Sequence, residues 1–249
     1  MNVIINKTPT AVLFKTYLEQ LISEYHEANK ELEASYRTAN KQYKDGIANG
    51  AYTDEHLRRS LDLALGVATD QFFKSSERLN VKAKSYISEL KKKIIPALSE
   101  TEKPSDYAVR VNNALQFVQV EGAEIDDATA SQILHDFERD IETMQRFRSV
   151  IEHQKGEKLS DAYGRTTFPL TFGRLEKCEQ LIGAFEELEG TAEKLFVCGK
   201  TETETEYLKN GKKLSVPMDR YMQLMSEKNI IEQAEKTEAM IAELFTTTD

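Results

Sequence analysis

Apolar residues recur every three or four positions over the first hundred residues, which is the spacing of one face of an α-helix. Thr8, which precedes a proline, is typical of a helix start, and Gly46 and Gly50 are typical of its end. Thr53, followed by two acidic residues, predicts the start of a second helix that runs to Pro96. The pattern therefore predicts two consecutive long helices.

The two helices are predicted to fold back on each other, because facing seam residues then have numbers that sum to 100 or nearly so. Over five successive layers a large side chain faces a small one, as in the pair Ala28 and Phe72, and this fills space without voids. The seam positions are Phe14, Leu18, Leu21, Tyr25, Ala28, Leu32, Tyr36, Ala39, Tyr43, Leu57, Leu61, Ala64, Ala68, Phe72, Ser75, Leu79, Ala83, Tyr86 and Leu90. We expect a long antiparallel coiled-coil helical hairpin over residues 1–98.

A second set of apolar residues lies off this seam and has to be covered by something. Its members are Tyr17, Ile22, Leu65, Phe73, Val81, Ile87 and Ile95. The cover is either the later helices of the same chain or another molecule. We favour packing within the chain.

The rest of the chain, residues 105–249, predicts a helical bundle that carries one small β-hairpin. The predicted helices run from Pro104 to Gly122, from Asp126 or Asp127 to Gly156, from Phe172 to Gly190, and from Pro217 onward. Before the last helix the period changes from 3.6 to 2 on both sides of Asn210-Gly211, a dipeptide typical of two-residue turns. We expect a mainly α fold with a β-hairpin at about 202–216.

Composition narrows the class of protein. The chain has 249 residues, no Trp and a net charge of -9. The excess of acidic over basic residues is located after the first hundred residues. Bulk attraction to nucleic acid or anionic lipid is therefore disfavoured. No membrane-spanning run and no secretory signal are readable, so the expected location is the cytoplasm, with Cys178 and Cys198 as reduced thiols.

Candidate chemistry is sparse. Gly199-Lys200-Thr201 resembles the end of a phosphate loop, but Lys194 stands where that motif needs its first glycine. The histidines adjoin their acidic neighbours instead of lying one helical turn from them, so a carboxylate-bridged metal site is not indicated. We expect no catalytic residues, no metal and no cofactor.

Two regions are candidate interaction surfaces. Lys74, Arg78 and Lys82 repeat every four residues on the second helix, and further lysines up to Lys93 extend the basic character. The loop at 161–174 combines aromatic, glycine and arginine residues, as many interfaces do, although a packed connector is the favoured reading. The candidate surface residues are Lys74, Arg78, Lys82, Phe73, Ile87, Arg165, Phe168 and Arg174.

These patterns predict a non-enzymatic, helical protein-protein interaction or assembly protein, such as a scaffold or adaptor. The expected partners are proteins, including further copies of the chain, and neither nucleic acid nor a membrane. The use of Lys, Glu, Ile and Asn is compatible with a phage or bacterial structural or host-interaction factor. The alternative is a nucleic-acid-associated regulator that uses the basic flank of the second helix, which a steep salt dependence of binding would reveal.

Overall fold

The computed structural model describes residues 9–50, 52–99, 103–162, 165–196, 202–207, 213–218 and 220–246. Its elements are α1 (Pro9–Asn49), α2 (Asp54–Leu98), α3 (Tyr107–Glu121), α4 (Asp127–Leu134), α5 (Ile141–Lys155), α6 (Pro169–Ala192), β1 (Glu202–Tyr207), β2 (Lys213–Met218) and α7 (Arg220–Thr246). Two short 3-10 turns, Gly122–Glu124 and His135–Phe137, flank α4. The fold is mainly helical, as the apolar spacing predicts.

The two long N-terminal helices pack against each other. A buried cluster near their turn is formed by Ala39, Tyr43 and Leu61, with Leu57 and Leu65 packed against it. Farther along, the Tyr36 hydroxyl lies 2.8 Å from Thr69 Oγ1, and the Tyr25 and Phe72 rings lie 5.5 Å apart. These contacts require the two helices to run antiparallel, but neither pair has the predicted sum of 100, and the predicted seam residue Ala64 is exposed. The residue-by-residue register stays a prediction. Phe14 lies outside the described side chains, and its predicted partner Tyr86 has its ring 4.1 Å from that of Tyr17, which was expected off the seam.

Several helix ends differ from the predicted ones, among them the ends of α1 and α2 and the start of α7. Helix α1 continues through Gly46 and ends before Gly50, whose φ of 63° is the left-handed conformation that glycine tolerates. Helix α2 contains Pro96 in its last turn and ends at Leu98. Helix α7 begins at Arg220 instead of Pro217, which belongs to β2.

The predicted single helix from Asp126 to Gly156 is wrong, because two helices occupy this stretch. Asp140 ends the first part by capping the second, and its carboxylate accepts hydrogen bonds from the Thr143 backbone N–H at 3.1 Å and hydroxyl at 2.8 Å. Asp126 caps α4 in the same way through Thr129. An Asp-x-x-Thr spacing therefore marks both helix starts.

The backbones of β1 and β2 pair antiparallel, with Glu202 opposite Met218 and Tyr207 opposite Lys213. Five residues lie between the strands, whereas a two-residue turn at Asn210-Gly211 would place Lys209 opposite Lys212. This register differs by one residue from the predicted tight turn. The turn itself lies outside the described residues, and the hairpin at 202–216 stays a prediction.

Packing divides the chain into two compact units. The hairpin unit comprises Val12–Ile87 and Glu187–Glu235, and the bundle unit comprises Met1–Ala11, Ser88–Glu186 and Lys236–Asp249. Each unit thus combines stretches that are distant in the sequence. Whether residues 1–98 form a domain of their own stays a prediction.

Later segments of the chain cover one side of α1 and α2 in the hairpin unit. Phe196, which follows α6, is fully buried and stacks on Tyr25 with ring centroids 5.0 Å apart. Helix α7 contributes Glu227, which lies 2.9 Å from His26, and Glu235, which lies 2.6 Å from Lys15. None of these contacts involves a member of the off-seam set, of which Ile87 is buried whereas Phe73 and Val81 are 37% and 60% exposed. Which molecule covers that set stays a prediction.

The bundle unit has its own core, built mainly from α3, α4, α5 and the start of α6. Its buried members are Ala114, Val118, Ile125, Ala130, Leu134, Phe137, Met144, Phe147, Ile151, Leu159, Phe168, Phe172 and Leu175. The carboxylate of Asp127 at the start of α4 accepts the backbone N–H groups of Leu170 and Thr171, which are the first free donors of α6. One helix therefore caps another across this core.

Candidate interaction surfaces

A groove of about 400 Å³ runs between α1 and α2 in the hairpin unit. It is lined by Ala28, Glu31, Leu32, Ala34, Ser35, Ala68, Gln71, Phe72 and Ser75. Five of the nine lining residues are Ala or Ser, whose short side chains leave the space between the two helices unfilled. The groove therefore arises from the small members of the large-small pairing.

An apolar row continues the groove toward the turn between the two helices. Leu63 is 71% exposed and Val67 is 51% exposed, and both precede Gln71 and Ser75 at four-residue steps on α2. Residues at this spacing form a ridge on a helix surface. The exposed apolar surface is thus contiguous with the groove along one side of α2.

The two edges of the groove carry opposite charges. Helix α1 supplies Glu24 and Glu31, and α2 supplies Lys74, Arg78 and Lys82. Lys82 Nζ lies 2.9 Å from Glu24 Oε2, which joins the edges at one end. Arg78 is exposed and has no ion-pair partner among the described residues, and so its charge is available to another molecule.

The covered side of α2 is different from the groove side. Asn80 Nδ2 donates to the Phe196 carbonyl and Asn80 Oδ1 accepts from the Phe196 N–H, both at 2.8 Å. Lys84, one turn later, pairs with Glu193 at 2.7 Å. Asn80 and Lys84 are rotated by more than 90° from Gln71 and Ser75 around the helix. The segment after α6 that contacts Asn80 and Lys84 therefore leaves the groove open.

Five of the predicted surface residues lie on α2. Lys74, Arg78 and Lys82 carry exposed or partly exposed charged groups near the groove, whereas Phe73 is apolar and Ile87 is buried. Lys74 pairs with Asp70 at 2.7 Å, a hydrogen bond that raises the pKa of the lysine. Phe73 is 37% exposed, and its ring lies 6.2 Å from that of Phe72. Ile87 is fully buried and cannot contribute to an exposed surface.

The predicted loop over 161–174 is too long, because α6 begins at Pro169 and includes Arg174. Its three predicted surface residues make contacts within the bundle unit. Phe168 is buried in its core, with Lys155 Nζ 5.5 Å from the ring centroid. Arg174 donates to the carbonyl oxygens of Leu98 and Leu244 near the ends of α2 and α7, at 3.5 and 3.2 Å. Arg165 pairs with Asp161 at 2.9 Å and stays exposed. Sequence spacing could not reveal the acceptors of Arg174, since they are 70 residues or more away in the chain.

Asp140 is a carboxyl group with a strongly lowered pKa, and its role is structural. Burial on its own raises the pKa of Asp140, but hydrogen bonds from Lys103, Thr143 and Tyr107 outweigh it and hold that pKa at about 2. Lys103 Nζ lies 2.7 Å from Asp140 Oδ2 and 5.0 Å from the Tyr107 ring centroid. The group is a permanently charged helix cap at neutral pH.

The other candidate features are the two cysteines, the stretch that resembles a phosphate loop, metal-ligating clusters and membrane-spanning helices. Cys178 is a buried free thiol whose pKa is raised by burial, and Cys198 and Gly199-Lys200-Thr201 lie outside the described residues. In the described ranges, no three His, Cys, Asp or Glu side chains come together as metal ligands would. None of the described helices has a stretch long and apolar enough to cross a membrane.

Neither a protein-family model, nor a curated protein, nor a solved structure matches this chain.

Proposed function

We propose that this chain is a non-enzymatic protein-interaction protein that docks an amphipathic helix of a partner protein in the groove between α1 and α2. The observation that carries the proposal is the groove itself, which has a floor of small side chains, an apolar extension at Leu63 and Val67, and edges of opposite charge. Amphipathic helices bind in such grooves through apolar residues at three- and four-residue spacing.

The charges of the two edges define the occupant. A helix that lies in the groove meets Glu31 of α1 on one flank and, on the other, Arg78 of α2, which has no ion-pair partner among the described residues. The complementary helix carries small apolar residues on its inner face, lysines along one flank and glutamates along the other. Such a pattern favours one direction of the docked helix, because the reversed helix would place like charges together.

The alternative, a nucleic-acid-associated regulator, is less well supported. Lys74, Lys82, Lys84 and Lys91 are each within ion-pair distance of a carboxylate of the same unit. These carboxylates partly neutralise the basic flank of α2 and would repel phosphates. Binding that depends on phosphate neutralisation needs lysines and arginines that are free to release counterions.

The proposal can be tested with a designed helical peptide of about 18 residues that carries alanine and leucine inward, lysines on one flank and glutamates on the other. Its binding is measured by fluorescence anisotropy. Two control peptides keep the inner face but carry only lysines or only glutamates. We expect the mixed-charge peptide to bind at least about tenfold more tightly than either control.

A matched pair of protein variants tests the location of binding. Ser35 lines the groove, whereas Ser23 is exposed on the same helix and does not line it. Ser35→Trp should weaken binding of the mixed-charge peptide by about tenfold or more, because the indole fills the groove, and Ser23→Trp should leave it unchanged. Equal binding of all three peptides, or equal effects of the two variants, would overturn the proposal.

A further inference from the structure

Helix α3 in the bundle unit exposes a row of large apolar side chains. Val109 is 59%, Phe117 62% and Val120 82% exposed, while Ala114 and Val118 on the opposite face are buried in the core. Positions 109, 113, 117 and 120 lie on one face of an α-helix and extend over about 17 Å. Within the described part of the chain, nothing covers this face.

The exposed face is also free of charge. From Val111 to Val120 the sequence has no Asp, Glu, Lys or Arg, although 30% of the chain is charged. The flanking charges, Arg110 and Glu121, lie within about 20° of each other around the helix, at the same edge of the apolar face. Arg110 is paired with Asp136 but stays partly exposed.

We propose that α3 is the contact by which two copies of this chain associate, with the two α3 helices antiparallel about a twofold axis. In this arrangement Val109 of one copy meets Val120 of the other, and Asn113 meets Gln116. When two copies of one helix pair antiparallel, the edge that carries Arg110 and Glu121 in one copy faces the corresponding edge of the other copy. Arg110 of each copy therefore approaches Glu121 of the other, and the twofold axis forms this pair twice.

A second copy fits this face better than a charged partner does. A twofold interface places the same patch on both sides, so a charged centre would repel itself, whereas an uncharged centre has no such cost. The end charges are opposite in sign and complementary only when the helices run antiparallel. One helix pair buries less than a standard interface of about 800 Å² per partner, so the dimer is weak and depends on concentration.

The test uses the full chain and introduces a negative charge at one of the two predicted contact valines and a positive charge at the other. Val109→Glu places a carboxylate beside Glu121 of the second copy, and Val120→Lys places an ammonium group beside Arg110. Each variant alone should weaken dimerisation by at least about tenfold in sedimentation equilibrium. An equimolar mixture should recover dimers, because the introduced carboxylate and ammonium group then face each other.

Val81→Glu is the matched control, since Val81 is 60% exposed on α2 in the other unit. It should dimerise as the unchanged protein does, and circular dichroism should show all variants folded. A protein that stays monomeric up to several hundred micromolar overturns the proposal. So does a mixture that fails to recover dimers, because recovery requires the antiparallel register. Neither result bears on peptide binding in the groove of the hairpin unit, so the two proposals can fail separately.

Discussion

Asn80 and Phe196 lie 116 residues apart and are joined by two hydrogen bonds that run in opposite directions, each 2.8 Å long. The side-chain amide of Asn80 satisfies both polar groups of the Phe196 backbone, as a neighbouring strand would. The Phe196 ring meanwhile stacks on Tyr25 of α1. This one amide and one ring attach the segment after α6 to both long helices of the hairpin unit.

Replacing Asn80 should therefore loosen that attachment. Asn80→Ala leaves the N–H and C=O groups of a buried residue unpaired, and we expect the free energy of unfolding to fall by about 2 kcal/mol. Asn80→Asp keeps the acceptor but brings a carboxylate to the Phe196 carbonyl, so it should be no better than alanine. Urea unfolding measures both. A loss below about 0.5 kcal/mol for alanine would contradict the role of this pair.

The Asp140 cap predicts a pH dependence of stability. Its pKa of about 2 in the folded protein lies below the value of about 3.9 expected for an unfolded aspartate. The charged cap therefore stabilises the fold by about 2 kcal/mol above pH 4, and this contribution disappears as the pH falls from about 4 to about 2. Asp140→Asn should be less stable at neutral pH and should lose less stability over that range. Identical pH profiles for both proteins would contradict the assignment.

Helices α5 and α6 are joined by a two-pronged ion pair. Arg148 Nη1 and Nη2 lie 2.7 and 2.6 Å from the two oxygens of Glu179, and the hydrogen bond with Glu179 raises the pKa of the arginine. Lysine cannot reproduce this geometry, so Arg148→Lys should lose most of what Arg148→Ala loses. A double-mutant cycle with Glu179→Gln should give a coupling of about 1–2 kcal/mol. A coupling near zero would mean that solvent screens the pair completely.

The capping of α6 by Asp127 also has a measurable consequence. Its carboxylate lies 2.8 Å from the Leu170 N–H and 3.0 Å from the Thr171 N–H, at the positively polarised end of the helix. Asp127→Ala should cost about 1–2 kcal/mol of unfolding free energy, and Asp127→Asn less, because the amide keeps one acceptor oxygen. Thermal unfolding of the two variants tests this order. Equal stabilities of alanine and asparagine would contradict it.

The sequence carries most of the information about the long helices. Their seam repeats over many turns, and the number sums place Tyr43, Ala39, Leu57 and Leu61 at the same end of the helix pair, where they share one cluster. The helix break at Asp140 was missed because the apolar stripe continues through it. The Asp-x-x-Thr spacing, which occurs at Asp126 as well, is the local signal that reveals it.

The surface residues were harder to predict than the seam. Ile87 and Phe168 look available in the sequence but are buried, because helical periodicity does not say which later segment covers a face. Arg174 likewise finds its acceptors at Leu98 and Leu244, 70 residues or more away. The exposed face of α3 was also missed, although its ten uncharged residues in a highly charged chain were a visible signal.

The docking groove between α1 and α2 is tested most directly by amide chemical shifts of the isotope-labelled protein during titration with the mixed-charge peptide. We expect the largest shift changes at Ala28, Ser35, Gln71 and Ser75, with smaller changes at Leu63 and Val67. The amide chemical shifts of α4 and α5 should stay unchanged. Largest changes in the bundle unit, or none anywhere at saturating peptide, would contradict the claim that this groove is the interaction site.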